Sequence, residues 1–229
     1  MSNPLCFETR DALMDAAAER IAESLENALK TRGIACAALS GGRTPAPAYE
    51  RLARYDLDWP RISFALVDER FVPPDHAASN EGLLRRALAP ALANGAEIAP
   101  MFTPDLSLHE AADVANARYA HLVFDIALMG MGTDGHTASW FKGSQGWDEA
   151  TSADTPRTVV AVRAPDAAGA PERLTLTRAA LGRAARVELL ITGEEKYRLI
   201  GGAHMSTSLA PAGLLFHRPV RSLQVLWAA

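Results

Sequence analysis

Short runs of apolar residues alternate along this chain with segments in which apolar residues recur at helical spacing. The apolar runs lack polar alternation, which is typical of strands buried on both faces. They cover residues 34–39, 62–67, 123–129, 159–162, 187–192 and 223–227. Helical patterns follow at residues 9–32, after Pro45, after Asn80, and at residues 109–118, 177–183 and 194–200. This order predicts a doubly wound α/β fold: a mostly parallel, Rossmann-like sheet with helices on both faces.

Composition limits the classes of protein that this chain can belong to. Of its 229 residues, 48% are hydrophobic and 22% charged, so we expect a single globular domain over residues 1–229. The net charge is -4 and the basic residues are scattered, which argues against nucleic acid or an anionic membrane as a partner. No apolar run is long enough for a bilayer, and the first residues lack a signal-peptide layout. We therefore expect a cytoplasmic protein that is a monomer or a small homo-oligomer.

Unusual polar residues follow four of the predicted strands. Ligands bind at the carboxyl ends of the strands in open α/β sheets, so this clustering predicts a binding site there. The four segments are Ser40-Gly41-Gly42, Asp68-Glu69-Arg70, Asp134-Gly135-His136 and Gly193-Glu194-Glu195-Lys196.

The loop of residues 130–139 contains three glycines and a histidine. His136 is suited to act as a general base near neutral pH, and Asp134 is close enough in sequence to orient it. Gly130 and Gly132 offer backbone N–H groups to a developing oxyanion. A plain glycine-rich turn with a structural histidine is the competing interpretation. We expect no metal, because two ligands without an H-E-x-x-H or cysteine set are too few, and no serine nucleophile at Ser139, because the G-x-S-x-G elbow is absent.

Residues 40–44 lie between a predicted strand and a predicted helix. Ser40, Gly41, Gly42, Arg43 and Thr44 combine free N–H groups, hydroxyls and a cation, which suits a phosphate. The loop has neither the Walker A lysine nor the three-glycine dinucleotide pattern, so a nucleotide is not indicated. An ordinary strand-to-helix turn is the alternative.

Three cations and one carboxylate complete the candidate site. Arg70 has paired donors for a carboxylate or an oxyanion, and Asp68 beside it is a candidate orienting group. Arg173 and Lys196 are candidate phosphate ligands. Solvated surface charges are the alternative for each of them.

Taken together, these motifs resemble 6-phosphogluconolactonases of the type related to glucosamine-6-phosphate deaminases and isomerases. The resemblance covers nearly the whole chain in five ordered blocks. These are residues 40–45, residues 68–73 with Ser79-Asn80, residues 130–139, residues 173–177 and residues 192–196. It implies a doubly wound α/β fold, a phosphosugar lactone as substrate, and hydrolysis of 6-phospho-D-glucono-1,5-lactone in the oxidative pentose phosphate pathway without a metal or organic cofactor.

The resemblance also assigns roles to the site residues. His136, Arg70, Asp134 and Asp68 are the expected catalytic group, and Ser40, Gly41, Gly42, Arg43, Thr44, Gly130, Gly132, Arg173 and Lys196 the expected substrate or phosphate ligands. Arg43 departs from the family pattern, which usually has a small residue there.

Two other functions stay open at the level of sequence. The related deaminases typically have Asp-Glu-Tyr in the second block and an Asn-Glu pair after the histidine, where this chain has Arg70 and residues 137–139. This difference favours a lactonase. A sugar-phosphate sensor without turnover is the other alternative, although no helix-turn-helix or basic surface is evident.

Overall fold

A computed structural model describes residues 3–205, 210–220 and 222–229 of the chain. The described residues form ten β-strands and eight α-helices. The strands are β1 (Leu5–Phe7), β2 (Ala35–Leu39), β3 (Ile62–Leu66), β4 (Asp68–Arg70), β5 (Glu97–Ala99), β6 (Ile126–Met129), β7 (Val159–Arg163), β8 (Glu172–Leu176), β9 (Val187–Thr192) and β10 (Leu223–Ala228). The helices are α1 (Arg10–Arg32), α2 (Ala46–Leu52), α3 (Asn80–Ala87), α4 (Ala89–Ala93), α5 (Leu108–Tyr119), α6 (Trp147–Thr151), α7 (Arg178–Leu181) and α8 (Glu194–Met205).

Seven of the strands form one parallel sheet in the order β1-β10-β9-β6-β2-β3-β5. From β2 the chain runs outward through β3 to β5, and it then returns to β6 and runs the other way through β9 and β10. The strand order therefore reverses between β2 and β6, which makes this point the topological switch of the sheet. The predicted α/β fold is confirmed. Ligands bind at such a switch point in doubly wound proteins.

A second sheet, β4-β8-β7, is antiparallel and was not predicted. The apolar pattern assigned residues 159–162 to the parallel sheet, and this was wrong: a buried run shows that a strand is covered but not which strand pairs with it. Val67 joins the two sheets, because its N–H donates to Leu39 (3.0 Å) while its carbonyl accepts from Leu176 (2.8 Å). As a result, the chain passes directly from β3 in the parallel sheet to β4 in the second sheet.

The longest helix, α1, shows why local sequence predicts its ends. The hydroxyl of Thr9 accepts a hydrogen bond from Ala12 N–H (3.1 Å), and Gly33 adopts the left-handed conformation (φ +77°) that closes the last turn. The face of α1 that carries Leu13 and Ile21 is fully buried and packs on β1, β2, β6 and β10. Burying each of these large side chains contributes about 1.5–3 kcal/mol. None of the helices in the described part of the chain has the length and apolar character needed to cross a membrane.

Candidate active site

A cavity of about 220 Å³ opens at the switch point, where the loops after β2 and β6 lie side by side. The Ser40 N–H donates to Leu128 O (3.0 Å) and so fixes the first loop against the end of β6. Eleven of the predicted site residues line this cavity: Ser40, Gly41, Gly42, Thr44, Asp68, Arg70, Gly130, Gly132, His136, Arg173 and Lys196. Arg43 is exposed and lies outside the lining, and Asp134 lines an adjoining cavity that shares Gly132 and His136 with the first.

Asp134 holds the imidazole of His136 through the ring nitrogen Nδ1, at 2.5 Å from its Oδ1. The same oxygen accepts the backbone N–H of His136 (3.2 Å), so side chain and main chain are held together. Burial raises the pKa of Asp134, but the hydrogen bonds and charge of His136 outweigh it and leave the pKa below its ordinary value. An ionised Asp134 favours the proton on Nδ1, and in that tautomer of the neutral imidazole Nε2 is unprotonated and able to accept a proton.

The loop glycines make room for this pair. A β carbon at Gly132 would stand 2.3 Å from two atoms of the His136 ring and 2.6 Å from the Asp134 carboxylate. The N–H of Gly132 donates to the carbonyl of His136 (2.8 Å), so it is not available to an oxyanion. The predicted oxyanion role of Gly132 is therefore wrong, because the tight turn uses that donor internally.

The ring of Phe141 packs against both His136 and Arg173. The ring centroids of Phe141 and His136 are 4.4 Å apart, and the guanidinium carbon of Arg173 is 5.0 Å from the Phe141 centroid. A hydrogen bond at Nδ1 alone leaves the imidazole plane free to tilt, and the aromatic contact restricts that tilt. No local pattern of residues indicates this contact.

Arg70 presents a partly engaged guanidinium to the cavity. Its Nη1 donates to Ala78 O (2.6 Å), and a β carbon at Gly169 would stand 4.0 Å from its Cζ. Its Nε is buried without a hydrogen-bond partner among the described residues. A buried unpaired donor is costly, which makes a bound anion a favourable partner for this group.

Asp68 ties the histidine loop to the second sheet and does not contact His136. Its carboxylate accepts the hydroxyl of Ser139 (2.6 Å) and the amide of Asn80 (3.3 Å), and it lies 3.9 Å from Arg173. All three side chains are at least nine-tenths buried. The structure thus places Asp68 in contact with the loops that carry the site, and its role as an orienting group stays a prediction.

Arg173 is 3% exposed, and two of its three guanidinium nitrogens are occupied by backbone carbonyls. Nε donates to Ala170 (3.0 Å) and Nη2 to Ala168. These bonds hold the loop that covers Arg70. Nη1 makes no such bond among the described residues and lies 3.9 Å from the Asp68 carboxylate.

Lys196 reaches back from α8 to the histidine loop. Its Nζ donates to Met131 O (2.5 Å) and is half-buried. Burial lowers the pKa of Lys196, and the charges of Asp134 and Glu195 partly offset this effect. Ser40 lines the same cavity as Lys196, and its hydroxyl oxygen is buried without a partner among the described residues. A hydroxyl and an ammonium in one cavity suit a phosphate.

Several lining residues could not be found by sequence reasoning. Asn80 and Thr137 line the cavity, and Ser139 and Phe141 support it from behind. The Ser79-Asn80 pair indicated a helix start and stood in the second block of the resemblance without an assigned role, and the other contacts join segments far apart in sequence. Groups of three or more His, Cys, Asp or Glu side chains that would suit a metal are absent from the described residues.

The doubly wound sheet with a polar cavity at its switch point defines an α/β protein of the small-ligand-binding class. A family model described as glucosamine-6-phosphate isomerases/6-phosphogluconolactonase matches residues 8–227. The chain belongs to this family.

Individual relatives and solved structures agree with this assignment. The 6-phosphogluconolactonase of Rhizobium meliloti is 38% identical over 231 residues, which cover 99% of each chain. That of Caulobacter vibrioides is 39% identical and covers 97% of this chain and 95% of its own. The crystal structure of a 6-phosphogluconolactonase from Shewanella baltica superposes with a TM-score of 0.92 at 30% identity, covering 100% of this chain and 98% of that one.

Proposed function

We propose that this chain hydrolyses 6-phospho-D-glucono-1,5-lactone to 6-phospho-D-gluconate, a step of the oxidative pentose phosphate pathway. The observation that carries the proposal is the His136–Asp134 pair, which presents an unprotonated Nε2 at a cavity that also holds Arg70 and Lys196. The relatives described above are all named 6-phosphogluconolactonase, and this supports the same reaction for the present chain.

In the proposed mechanism His136 acts first as a base and then as an acid. Nε2 removes a proton from water as the water oxygen bonds to the lactone carbonyl carbon, and Asp134 stabilises the imidazolium that forms. Arg70 stabilises the tetrahedral oxyanion with its unengaged donors. The bond from that carbon to the ring oxygen then breaks, and His136 returns its proton to the departing oxygen.

The phosphate is assigned to the remaining donors of the cavity. These are the Ser40 hydroxyl, the backbone of Gly41 and Gly42, Lys196 and Nη1 of Arg173, which lies 3.9 Å from Asp68. Thr44 lines the same cavity, and a β carbon at Gly130 would stand 3.6 Å from the Ser40 hydroxyl. Arg43 is left out of this set because its side chain is exposed and lies outside the cavity lining.

We also propose that the described residues form a single functional domain. Because β1 pairs with β10, the two ends of the chain share one sheet, which supports a single domain over residues 1–229. A cytoplasmic location follows from the proposed pathway.

The decisive experiment compares two reactions of the family. Freshly made lactone is incubated with the purified protein and acid release is followed, corrected for spontaneous hydrolysis, while glucosamine 6-phosphate is tested in parallel for ammonia. We expect rapid acid release and no ammonia. Ammonia without faster lactone loss would make the chain a deaminase, and product binding without either reaction would make it a sensor.

His136→Ala tests the assigned base. Removal of a general base typically costs about 10²–10⁴-fold in rate, so we expect a loss of kcat in that range. His109→Ala is the matched control, because His109 lies on α5 and does not line the switch-point cavity. Unchanged kcat in His136→Ala would refute the mechanism.

A further inference from the structure

Asn80 lines the switch-point cavity although no role in the reaction has been assigned to it. It is the first residue of α3, is 2% exposed, and lies next to Asp68.

The NH₂ group of the Asn80 amide is fully used inside the protein. Its Nδ2 lies 2.8 Å from the backbone oxygen of Asp68 and 3.3 Å from the Asp68 carboxylate. Both neighbours are acceptors, so the amide must point its NH₂ at them and its Oδ1 the other way. No hydrogen bond to Oδ1 comes from the part of the chain that the structure describes.

The position of this oxygen is fixed by its surroundings. Oδ1 lies 1.8 Å from where a β carbon of Gly41 would stand, so only glycine at position 41 allows the amide to lie there. The backbone N–H of Asn80 donates to Glu69 (2.8 Å), which anchors the start of α3. The acceptor is therefore held rigidly before any ligand arrives.

Most other polar groups of the cavity are donors: the guanidinium of Arg70, the ammonium of Lys196 and the loop N–H groups. These suit a phosphate and a carbonyl. Among the acceptors that line the same cavity, the Asp68 carboxylate accepts from Ser139 and Asn80, and Nε2 of His136 is assigned to the attacking water, so Oδ1 of Asn80 is available to a hydroxyl of the sugar. We propose that Oδ1 of Asn80 accepts a hydrogen bond from one ring hydroxyl of the substrate and so makes Asn80 a specificity-determining residue. This inference rests on the proposed lactonase function.

Substrate analogues test the contact directly. Lactones are prepared by oxidising glucose 6-phosphate and its 2-, 3- and 4-deoxy analogues, and kcat/KM is measured for the wild type and for Asn80→Ala. A net hydrogen bond corresponds to about a 3- to 10-fold change. We expect a loss of that size for the parent lactone and for all deoxy lactones except one, on which the variant and the wild type perform equally.

An equal loss on every lactone, or no loss on any, would overturn the inference, since Asn80 would then only support Asp68. Asn94→Ala is the control: Asn94 is exposed and donates to Pro90 on α4 (2.9 Å). If Asn80→Ala does not fold, Asn80→Ser keeps a hydroxyl that can donate to Asp68 without reaching the ligand. If the wild type hydrolyses none of the lactones, the proposed function fails, and calorimetric binding of 6-phosphogluconate and its deoxy forms still tests the Asn80 contact.

Discussion

At the scale of single residues, the imidazole of His136 is fixed at Nδ1 and left open at Nε2. Asp134→Asn keeps the shape of the partner but removes its negative charge, and its amide can present a donor to Nδ1. We expect kcat to fall, by less than the roughly 10²–10⁴-fold expected for removal of the base itself. The reason is that the ring keeps its place against Phe141 but loses stabilisation of the imidazolium.

Steady-state kinetics of Asp134→Asn give the measurement, with Asp113→Asn as the control. Asp113 forms a comparable surface pair with Arg157 (2.7 Å) away from the site. A variant that lost affinity for the lactone while keeping kcat would show that Asp134 serves binding instead.

The sequence predicted the residues that act through short spacing. Asp134 and His136 are two positions apart, so their spacing in the sequence is enough to predict a contact between them. Asn80 and Ser139 reach the site only because β4 turns away from the parallel sheet and carries Asp68 between them. Nothing in the local pattern encodes that turn, and these two residues were therefore not predicted as part of the site.

At the scale of elements, the histidine loop depends on a glycine that a side chain cannot replace. Gly132→Ala places a methyl group 2.3 Å from the imidazole, so the ring must leave its position. We expect most of kcat to be lost while the protein stays folded, because the loop lies at the surface of the sheet and its displacement leaves the core packed.

Activity and thermal unfolding of Gly132→Ala separate these two effects. Gly201→Ala is the matched control, since a β carbon there meets no atom within 4 Å, and alanine in helix α8 is expected to add up to about 1 kcal/mol of stability. Full activity in Gly132→Ala would contradict the observed geometry of the loop.

The start of α3 is capped by Glu69, a buried carboxyl from β4. Its oxygens accept from the N–H groups of Asn80 (2.8 Å), Glu81 (2.7 Å) and Arg70 (2.7 Å) and from the Ser79 hydroxyl (2.9 Å). Burial raises the pKa of Glu69 from 4.5 to about 7, and these hydrogen bonds oppose the rise.

A carboxyl whose pKa is higher in the folded state holds a proton that the unfolded chain has released. The free energy of unfolding contributed by Glu69 is therefore largest below pH 4.5, falls as the pH rises toward about 7, and is constant above that value. Urea unfolding of the wild type and of Glu69→Gln across this range measures the effect. The stability difference between them should change with pH inside the window, and parallel pH curves would contradict the assignment.

The elements that the sequence missed share a physical cause. Strands β4 and β8 carry charged residues such as Asp68, Arg70 and Arg173, and β1 and β5 have only three residues each. Short or polar segments give no apolar run, so they resemble loops. The helices with caps, such as α1, and the buried strands of the parallel sheet were predicted because their signals are local and repeated.

At the scale of the whole molecule, the cavity joins two sheets that meet along the chain at Val67. The parallel sheet supplies the loops with Ser40 and His136, and the antiparallel sheet supplies Arg70 and Arg173. A ligand that contacts both sets of residues stabilises the folded state by linking them, and at a concentration of 100 Kd the gain is about 2.7 kcal/mol.

We therefore expect 6-phosphogluconate to raise the Tm of the wild type, and to raise it less in Lys196→Ala. Lys196 crosses from α8 to the histidine loop, where its ammonium lies beside the carbonyl of Met131, so its removal takes one cation from the proposed phosphate ligands without touching either sheet. Lys30→Ala is the control, because Lys30 is exposed and pairs only with Glu26 among the described residues. Thermal scans at fixed ligand concentration measure both variants. An unchanged ligand shift in Lys196→Ala would remove Lys196 from the phosphate site and leave Ser40, Gly41, Gly42 and Arg173 to hold the phosphate alone.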